Sequence, residues 1–334
     1  MFYAVRHYTQ KRQARICACS NDRMKTVDSS PSPMGAVACL QATALWGTAL
    51  GLLAWLLWAV PQSASLAVQG VACLVLFWAV CMVLPFALMH WVNRSDSAPR
   101  AHWGQVLRAL GAEVGCFFTV FCWRQPLRSR SMPDWLPETP TGQRGVVLVH
   151  GFLCNRGLWL PWMPRLRERG HAYVAVNLEP VFGSIDDYIA TVEDAVQRVT
   201  QATGMPPVII AHSMGGLATR AWLRAQQADA RVHHVVTLGT PHGGTWLGRF
   251  SSVANGRQMQ LASPWLQRLH LDEPASRAQR FTCWYSNCDN IVFPARTAAL
   301  PGAQQHFIAG VAHVEMACHP EVVQACLGLL QKAD

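Results

Sequence analysis

The feature that most constrains this chain is a run of 65 residues, between Asp28 and Arg94, that contains no aspartate, glutamate, lysine or arginine. Two apolar stretches within it, at about 35–60 and 66–92, each exceed the ~20 residues that an α-helix needs to cross a bilayer. A short polar break separates them. Two core helices of a soluble protein are the alternative, but such helices rarely run this long without a charge. The run therefore predicts a transmembrane hairpin at 35–92.

The basic residues are concentrated beside this hairpin. Residues 1–130 carry twelve basic and four acidic side chains, whereas the rest of the chain carries sixteen and fifteen, so nearly all of the net charge of +9 lies in the first part. Both outer flanks of the hairpin are basic and the break between its helices is not, which by the positive-inside rule places both flanks in the cytoplasm. Since the C-terminal part is almost neutral, nucleic-acid binding has no support.

Between the hairpin and the C-terminal part, apolar residues recur at steps of three and four from Trp103 to Phe121, which indicates a helix with one apolar stripe. Two interpretations remain open: the helix lies in the membrane surface, or it packs on the following domain. Four prolines between Arg124 and Arg144 then indicate a linker. The predicted organisation is a basic segment (1–34), the hairpin (35–92), an amphipathic helix with a Pro-rich linker (93–144) and a C-terminal domain (145–334).

From Gly145 onward, short β-branched runs alternate with helical patterns. This alternation predicts a mostly parallel sheet with helices on both faces. Ligands of such sheets bind at the carboxyl ends of the strands, so the residues that follow each strand are the candidate site. The predicted strands are 145–149, 172–177, 207–211, 232–238, 281–285 and 304–309, and the predicted helices are 158–169, 184–201, 214–226 and 320–330.

A serine stands where one of these strands meets a helix, in the sequence Ala211-His-Ser-Met-Gly215. Small residues two positions on either side of Ser213 allow the sharp strand-to-helix turn of a nucleophile elbow, which exposes the hydroxyl. A serine that only caps the helix is the alternative. In His150-Gly-Phe152, after the first strand, the backbone N–H of Phe152 is a candidate oxyanion-hole donor together with that of Met214, and His150 is interpreted as structural.

Two further strand ends carry an acid and a base. Asp289 follows the strand at 281–285, and His313 follows the last strand. In the order Ser213, Asp289, His313 these residues match a triad in which histidine activates serine and aspartate orients histidine. The rival acids, Asp272 and Glu273, sit in a helical stretch, and the rivals near the histidine, Glu315 and His319, lie farther from the strand end.

These residues resemble the α/β-hydrolase superfamily, in particular its bacterial lipase and esterase branch, over roughly 145–330. Ala-His-Ser-Met-Gly-Gly and Leu238-Gly-Thr-Pro-His-Gly-Gly-Thr245 are the segments that carry the resemblance. It implies an α/β-hydrolase fold, a triad of Ser213, Asp289 and His313, and an oxyanion hole from Phe152 and Met214. The usual secreted lipase has no such hairpin, so we expect a multi-pass protein of the bacterial inner membrane with a cytoplasmic catalytic domain.

We therefore expect a membrane-anchored serine hydrolase that cleaves esters of lipids or other hydrophobic acyl compounds. A thioesterase or acyltransferase with the same triad is the alternative, and a non-catalytic membrane scaffold is a weaker one. Residues 246–278 are a candidate apolar lid over the acyl pocket, or an ordinary packed crossover. Nucleotide and zinc motifs are lacking, so neither a cofactor nor a metal is expected. The sequence gives no indication of the oligomeric state.

Overall fold

The computed structural model describes residues 34–331. The predicted basic segment 1–34 therefore lies almost wholly outside the described residues. Three helical stretches in the described part are long and apolar enough to cross a membrane: Ala36–Ala59, Ala64–Ser95 and Trp103–Arg128. The two expected stretches are found, and the structure adds a third.

The first two stretches form a helical hairpin, α1 (Ala36–Ala59) and α2 (Ala64–Val92). The two helices meet where Trp55 covers Gly70, at which a Cβ atom would lie 2.0 Å from the indole nitrogen. Most of their apolar side chains are exposed. Because exposed apolar surface on this scale is unfavourable in water, the hairpin has the surface of a segment that is solvated by lipid.

Hydrogen bonds join both outer ends of the hairpin to the C-terminal domain. At the start of α1, the Ala36 N–H donates to a carboxylate oxygen of Glu179 at 2.7 Å. At the end of α2, the Asn93 side chain donates to the Asn287 carbonyl at 3.3 Å and accepts from the Ala295 N–H at 3.2 Å. Both ends of the hairpin therefore lie on the same side, and the turn between its helices points away from the C-terminal domain.

The third stretch begins as α3 (Trp103–Cys116), continues as a π-helical segment (Phe117–Arg124) and ends in one turn, α4 (Gln125–Arg128). The linker was predicted to begin at Arg124, and that prediction is wrong for residues 124–128, which are helical. Of the two interpretations of the apolar stripe, packing on the following domain is confirmed for one side, and contact with the membrane surface stays a prediction. One side packs on the C-terminal domain, where Val106, Ala109 and Val120 are buried, and another side exposes apolar residues such as Leu107.

The C-terminal domain contains one sheet of six strands, all parallel, in the order β2-β1-β3-β4-β5-β6. This confirms the predicted fold class. The strands are β1 (Val146–Val149), β2 (Tyr173–Ala175), β3 (Val208–His212), β4 (His234–Leu238), β5 (Phe281–Tyr285) and β6 (Gln304–Phe307).

Helices cover both faces of this sheet. Alternate residues of a strand point to opposite faces, so Val147 and Val149 of β1 join one apolar core while Val146 and Leu148 join the other. The helices are α5 (Met163–Glu168), α6 (Ile189–Thr203), α7 (Met214–Gln226), α8 (Ala254–Gln258), α9 (Pro264–Leu271), α10 (His313–Met316) and α11 (Pro320–Gln331). Helices α6, α7 and α9 contribute to the first core, and α5 and α11 contribute to the second.

The candidate lid, 246–278, is a series of short helical pieces that includes α8 and α9. Met259, Trp265 and Leu269 of this segment are buried in the first core, while Leu271 is 82% exposed. The segment is therefore packed on the domain along much of its length. Its movement as a lid remains a prediction.

Candidate active site

Ser213 lies between β3 and α7 in a backbone conformation that few residues other than glycine adopt, with φ +56° and ψ −130°. Its N–H donates to the carbonyl of Leu238 on the neighbouring strand at 2.8 Å, which fixes the turn. At Gly215 a Cβ would lie 2.6 Å from the carbonyl oxygens of Val149 and His150, so a larger residue does not fit. This is the geometry of a nucleophile elbow.

The turn after β1 lies directly against the serine. A Cβ at Gly151 would be 2.6 Å from the Ser213 Cβ, so glycine allows this close approach. The next backbone N–H is that of Phe152, and Met214 supplies the first N–H of α7, which has no acceptor within its own helix. Both predicted oxyanion donors therefore belong to segments that flank Ser213.

His150, in the same turn, fits the structural interpretation. Its Nε2 accepts a hydrogen bond from the Leu178 N–H at 3.0 Å, and Nδ1 lies 2.8 Å from the Gly151 carbonyl oxygen. Complete burial lowers the pKa of His150 to about 4, against a smaller opposing effect of the bond to Gly151. The imidazole is neutral at pH 7 and ties the turn to the segment after β2.

Asp289 and His313 are brought together by the ends of β5 and β6. The Nδ1 atom of His313 lies 2.9 Å from one carboxylate oxygen of Asp289. The other oxygen accepts the N–H groups of Ile291 at 3.0 Å and Val292 at 2.7 Å. The carboxylate is thereby held in one orientation, and it fixes the imidazole tautomer that carries its proton on Nδ1.

The rival acids are occupied elsewhere. Glu273 pairs with Arg220 at 2.6 Å, and Asp272 lies 3.6 Å from Arg224. Glu315 pairs with Arg108 at 2.5 Å. The structure therefore places only Asp289, of the acids considered, on the histidine that follows β6.

The segment Leu238–Thr245 contacts both Asp289 and Ser213. Gly239 has φ +56°, and a Cβ there would lie 2.8 Å from a carboxylate oxygen of Asp289. The Thr240 hydroxyl donates to the Ser213 carbonyl at 2.8 Å. His242 is buried, with the Thr237 hydroxyl 3.1 Å from its Nε2. This segment was singled out only by its resemblance to lipases, and its contacts help to position Ser213 and Asp289.

Comparisons with known proteins agree with this geometry. A family model described as the alpha/beta hydrolase fold matches residues 145–264. No curated protein matches the chain. Among solved structures, the mature form of lipase BlEst2 from Bacillus licheniformis superposes with a TM-score of 0.52 at 17% identity, over 59% of this chain and 96% of that chain. Lipase B from Aspergillus fumigatus also superposes with a TM-score of 0.52, at 16% identity, over 60% of this chain and 55% of that chain.

The C-terminal domain has the α/β-hydrolase fold. At these identities the likeness to the two structures shows the fold, and the fold places the predicted residues at the carboxyl edge of the sheet. Within residues 34–331, no group of three or more metal-ligating side chains is found.

The site also contains a carboxylate that the sequence did not predict. Glu113 of α3 is buried, and its side-chain oxygens accept the N–H of Val314 at 3.1 and 3.3 Å and that of Glu315 at 3.4 Å. It thereby caps the helical turn that begins with His313. Its one signal in the sequence is a lone acid within an apolar stripe, about 200 residues before the histidine.

The electrostatic surroundings favour a protonated His313. Burial lowers the pKa of this imidazole, but the charge of Asp289 and its hydrogen bond raise it, and Glu113 raises it further. The net pKa of His313 is raised above the ordinary value of 6.5. Such an imidazole is well suited to accept a proton during a reaction.

Ser213 and His313 open into the same cavity, of about 350 Å³. Most of the side chains that line it are apolar, and they come from both the α/β-hydrolase domain and the helices before it. From the domain, the lining includes Phe152, Leu153, Met259, Ile291, Val292 and Val314. A site of this kind suits a substrate with an apolar chain next to the group that reacts.

Proposed function

We propose that this protein is a membrane-anchored serine hydrolase that cleaves carboxylic esters of lipids or other hydrophobic acyl compounds. The observation that carries the proposal is one mostly apolar cavity onto which Ser213 and His313 open, with Asp289 bonded to the histidine. Two solved structures with this fold are described as lipases, which agrees with the proposal.

In the proposed reaction, the Ser213 hydroxyl attacks the ester carbonyl while Nε2 of His313 takes its proton. The negative charge that develops on the carbonyl oxygen is stabilised by the N–H groups of Phe152 and Met214. Asp289 stabilises the imidazolium that forms. The C–O bond to the alcohol then breaks, and His313 gives its proton to the departing alkoxide oxygen.

The acyl group now forms an ester with Ser213. A water molecule attacks this ester while His313 takes one of its protons, and the same N–H groups stabilise the second tetrahedral intermediate. Collapse releases the carboxylic acid, and His313 returns the proton to the serine oxygen. The net reaction consumes one ester and one water and yields one alcohol and one acid.

We further propose that α1 and α2 span the bilayer and that the catalytic domain lies in the cytoplasm. The hairpin is attached to the domain at both of its outer ends, and the basic flanks favour the cytoplasmic side. A reporter that is active only in the periplasm should be inactive when it is fused after Asp334. An active reporter would reverse the proposed orientation.

Labelling with a fluorophosphonate tests the nucleophile, because such probes react with activated serines. The full-length protein in membranes should be labelled, and Ser213→Ala should not. Ser263→Ala provides a matched control that removes a different buried serine of the same domain, at the start of α9. Equal labelling of the protein and Ser213→Ala would assign the reactive group to another residue.

A further inference from the structure

The cavity beside Ser213 has two walls of different origin. One wall belongs to the α/β-hydrolase domain. The other is formed by Cys81, Met82 and Pro85 of α2, together with Phe117 and Phe121 of the π-helical segment. A helix that is apolar enough to cross a membrane therefore forms part of the surface that faces the nucleophile.

The length of α2 places this wall at the edge of the bilayer. A hydrocarbon core about 30 Å thick is crossed by ~20 helical residues at 1.5 Å each. Counted from Ala64, such a span ends between Met82 and Pro85. The remaining residues of α2 then lie beyond the hydrocarbon, beside the catalytic domain.

The exposure of α2 changes at the same point. Val83 and Leu84 are exposed, whereas Phe86 and Met89 beyond them are buried on the side of the helix that faces the domain, and Trp91 on another side is 57% exposed. The two buried side chains pack in one cluster with Phe293 and other residues of the catalytic domain. The helix therefore passes from a surface suited to lipid into a protein core, and the cavity lies at the transition.

The π-helical segment closes the cavity against α2. The rings of Phe117 and Trp78 are 5.8 Å apart, and those of Phe117 and Phe121 are 6.3 Å apart. Phe118, which lies 5.5 Å from Trp78 between ring centres, is 53% exposed. The aromatic wall of the cavity thus continues into apolar side chains on the outer surface.

We propose that the acyl chain of the ester lies between α2 and the π-helical segment, enters this space from the bilayer, and is selected for length by Met82 and Phe117. The inference rests on the proposed function, and it adds an acyl-binding wall that is supplied by a membrane helix. The occupant is the hydrocarbon chain of an ester that resides in the lipid phase. Cys81, Pro85 and Phe121 complete this wall.

The test compares long and short esters with the full-length protein in phospholipid nanodiscs. Met82→Trp fills the wall with a larger side chain, so the ratio of p-nitrophenyl palmitate to p-nitrophenyl acetate turnover should fall at least tenfold. Val80→Trp is the matched control, because Val80 lies on the same helix and is 50% exposed away from the cavity. In this control the ratio should stay within about twofold.

Phe117→Ala provides a second variant in which the wall is enlarged rather than filled. Here the acyl length of maximal turnover should increase, since a smaller side chain leaves room for more carbon atoms. Fluorophosphonate labelling gives the concentration of intact sites in each variant, so a loss of folded protein does not imitate a change in the ratio.

Two failures are distinguishable. If the protein hydrolyses esters and is labelled at Ser213, but both Met82→Trp and Phe117→Ala keep its chain-length profile, the acyl-binding wall is wrong and the proposed function stands. If the unaltered protein is neither labelled nor active on any ester, the proposed function fails, and the inference that rests on it fails too.

Discussion

The hairpin and the C-terminal domain are both rich in apolar residues, but the hairpin exposes these side chains whereas the domain buries them. In the hairpin, Leu57 and Leu76 are 69% and 65% exposed, whereas Ile209 and Leu217 of the domain are fully buried. The domain completes its own core on both faces of a sheet. The hairpin has no such partner within residues 34–331, so its apolar surface is suited to lipid. The candidate site lies where the two regions meet.

The two regions also differ in whether they contain charged side chains. The domain contains a buried ion pair between Arg220 and Glu273 and a carboxylate bonded to His313. The hairpin has no charged residue at all. A charge is therefore tolerated inside the domain only with a partner, and it is avoided altogether on the hairpin surface.

The largest expected effect concerns the charge inside the catalytic site. Asp289→Asn keeps the size of the side chain but removes the charge that orients and stabilises His313, so kcat/KM for a soluble short ester should fall by about 10⁴-fold. Asp272→Asn, which changes a more exposed acid of the same domain, should have little effect. Normal activity of Asp289→Asn would place the acid at another residue.

The next effect concerns a buried pair in the domain. Arg220→Met removes the nearer of the two arginines that face the buried Glu273 carboxylate and leaves only Arg277, at 3.8 Å, which should cost about 3 kcal/mol of unfolding free energy. Arg224→Met, on the same helix, breaks two partly exposed pairs, with Asp186 and Asp272, and should cost at most about 1 kcal/mol. Thermal unfolding in nanodiscs compares the two. Similar melting temperatures for both variants would contradict the distinction between the buried and the surface pair.

A charged residue introduced into the hairpin tests whether its surface faces lipid or water. Leu76→Asp should disfavour membrane insertion by about 3 kcal/mol, because Leu76 falls within the predicted span. Leu271→Asp introduces the same charge at an exposed leucine of the catalytic domain and should change stability by less than about 0.5 kcal/mol. The fraction of protein in washed membranes measures the difference. Equal fractions would mean that the hairpin surface faces water, as the domain surface does.

The smallest effect is a shift in pH dependence. His313 must be neutral to accept a proton, and its pKa lies above 6.5, so kcat/KM should rise with pH through a midpoint above 6.5. Glu113→Gln keeps an acceptor for the Val314 N–H but removes a carboxyl group whose pKa is raised to about 7 by burial. The ionised form of this carboxyl raises the pKa of His313, so its loss lowers that pKa. The midpoint should therefore move to lower pH, by up to about one unit.

Glu321→Gln supplies the control for this shift, because Glu321 is an exposed acid of α11 and is not among the groups that raise the pKa of His313. Its midpoint should match that of the unaltered protein. If the midpoint of kcat/KM against pH does not move in Glu113→Gln, Glu113 only caps α10 and has no influence on the pKa of His313.

Some elements of the domain were predictable because local and tertiary preferences agree. The strand Phe281–Tyr285 and the helix Met214–Gln226 occur with the predicted bounds. In contrast, the helix predicted at 158–169 is divided into Arg156–Trp159 and Met163–Glu168. Pro161 and Pro164 explain the division, because proline lacks the N–H that continues a helix.

The candidate site was predictable only as far as it follows from strand ends. Ser213 comes directly after a strand, and Asp289 and His313 each come within about six residues of one; parallel strands bring such positions to one edge. Glu113 and Met82 reach the same site through the docking of helices that lie 100 or more residues earlier in the chain. That contact depends on tertiary packing, which no local pattern around these two residues encodes.

The most direct test of the account measures ester turnover against acyl length for the full-length protein in nanodiscs, with Ser213→Ala as the reference. We predict turnover that increases from p-nitrophenyl acetate to longer acyl chains, and none above background with Ser213→Ala at any length. Turnover that is unchanged in Ser213→Ala would contradict the central claim that this membrane-anchored domain hydrolyses hydrophobic esters through that serine.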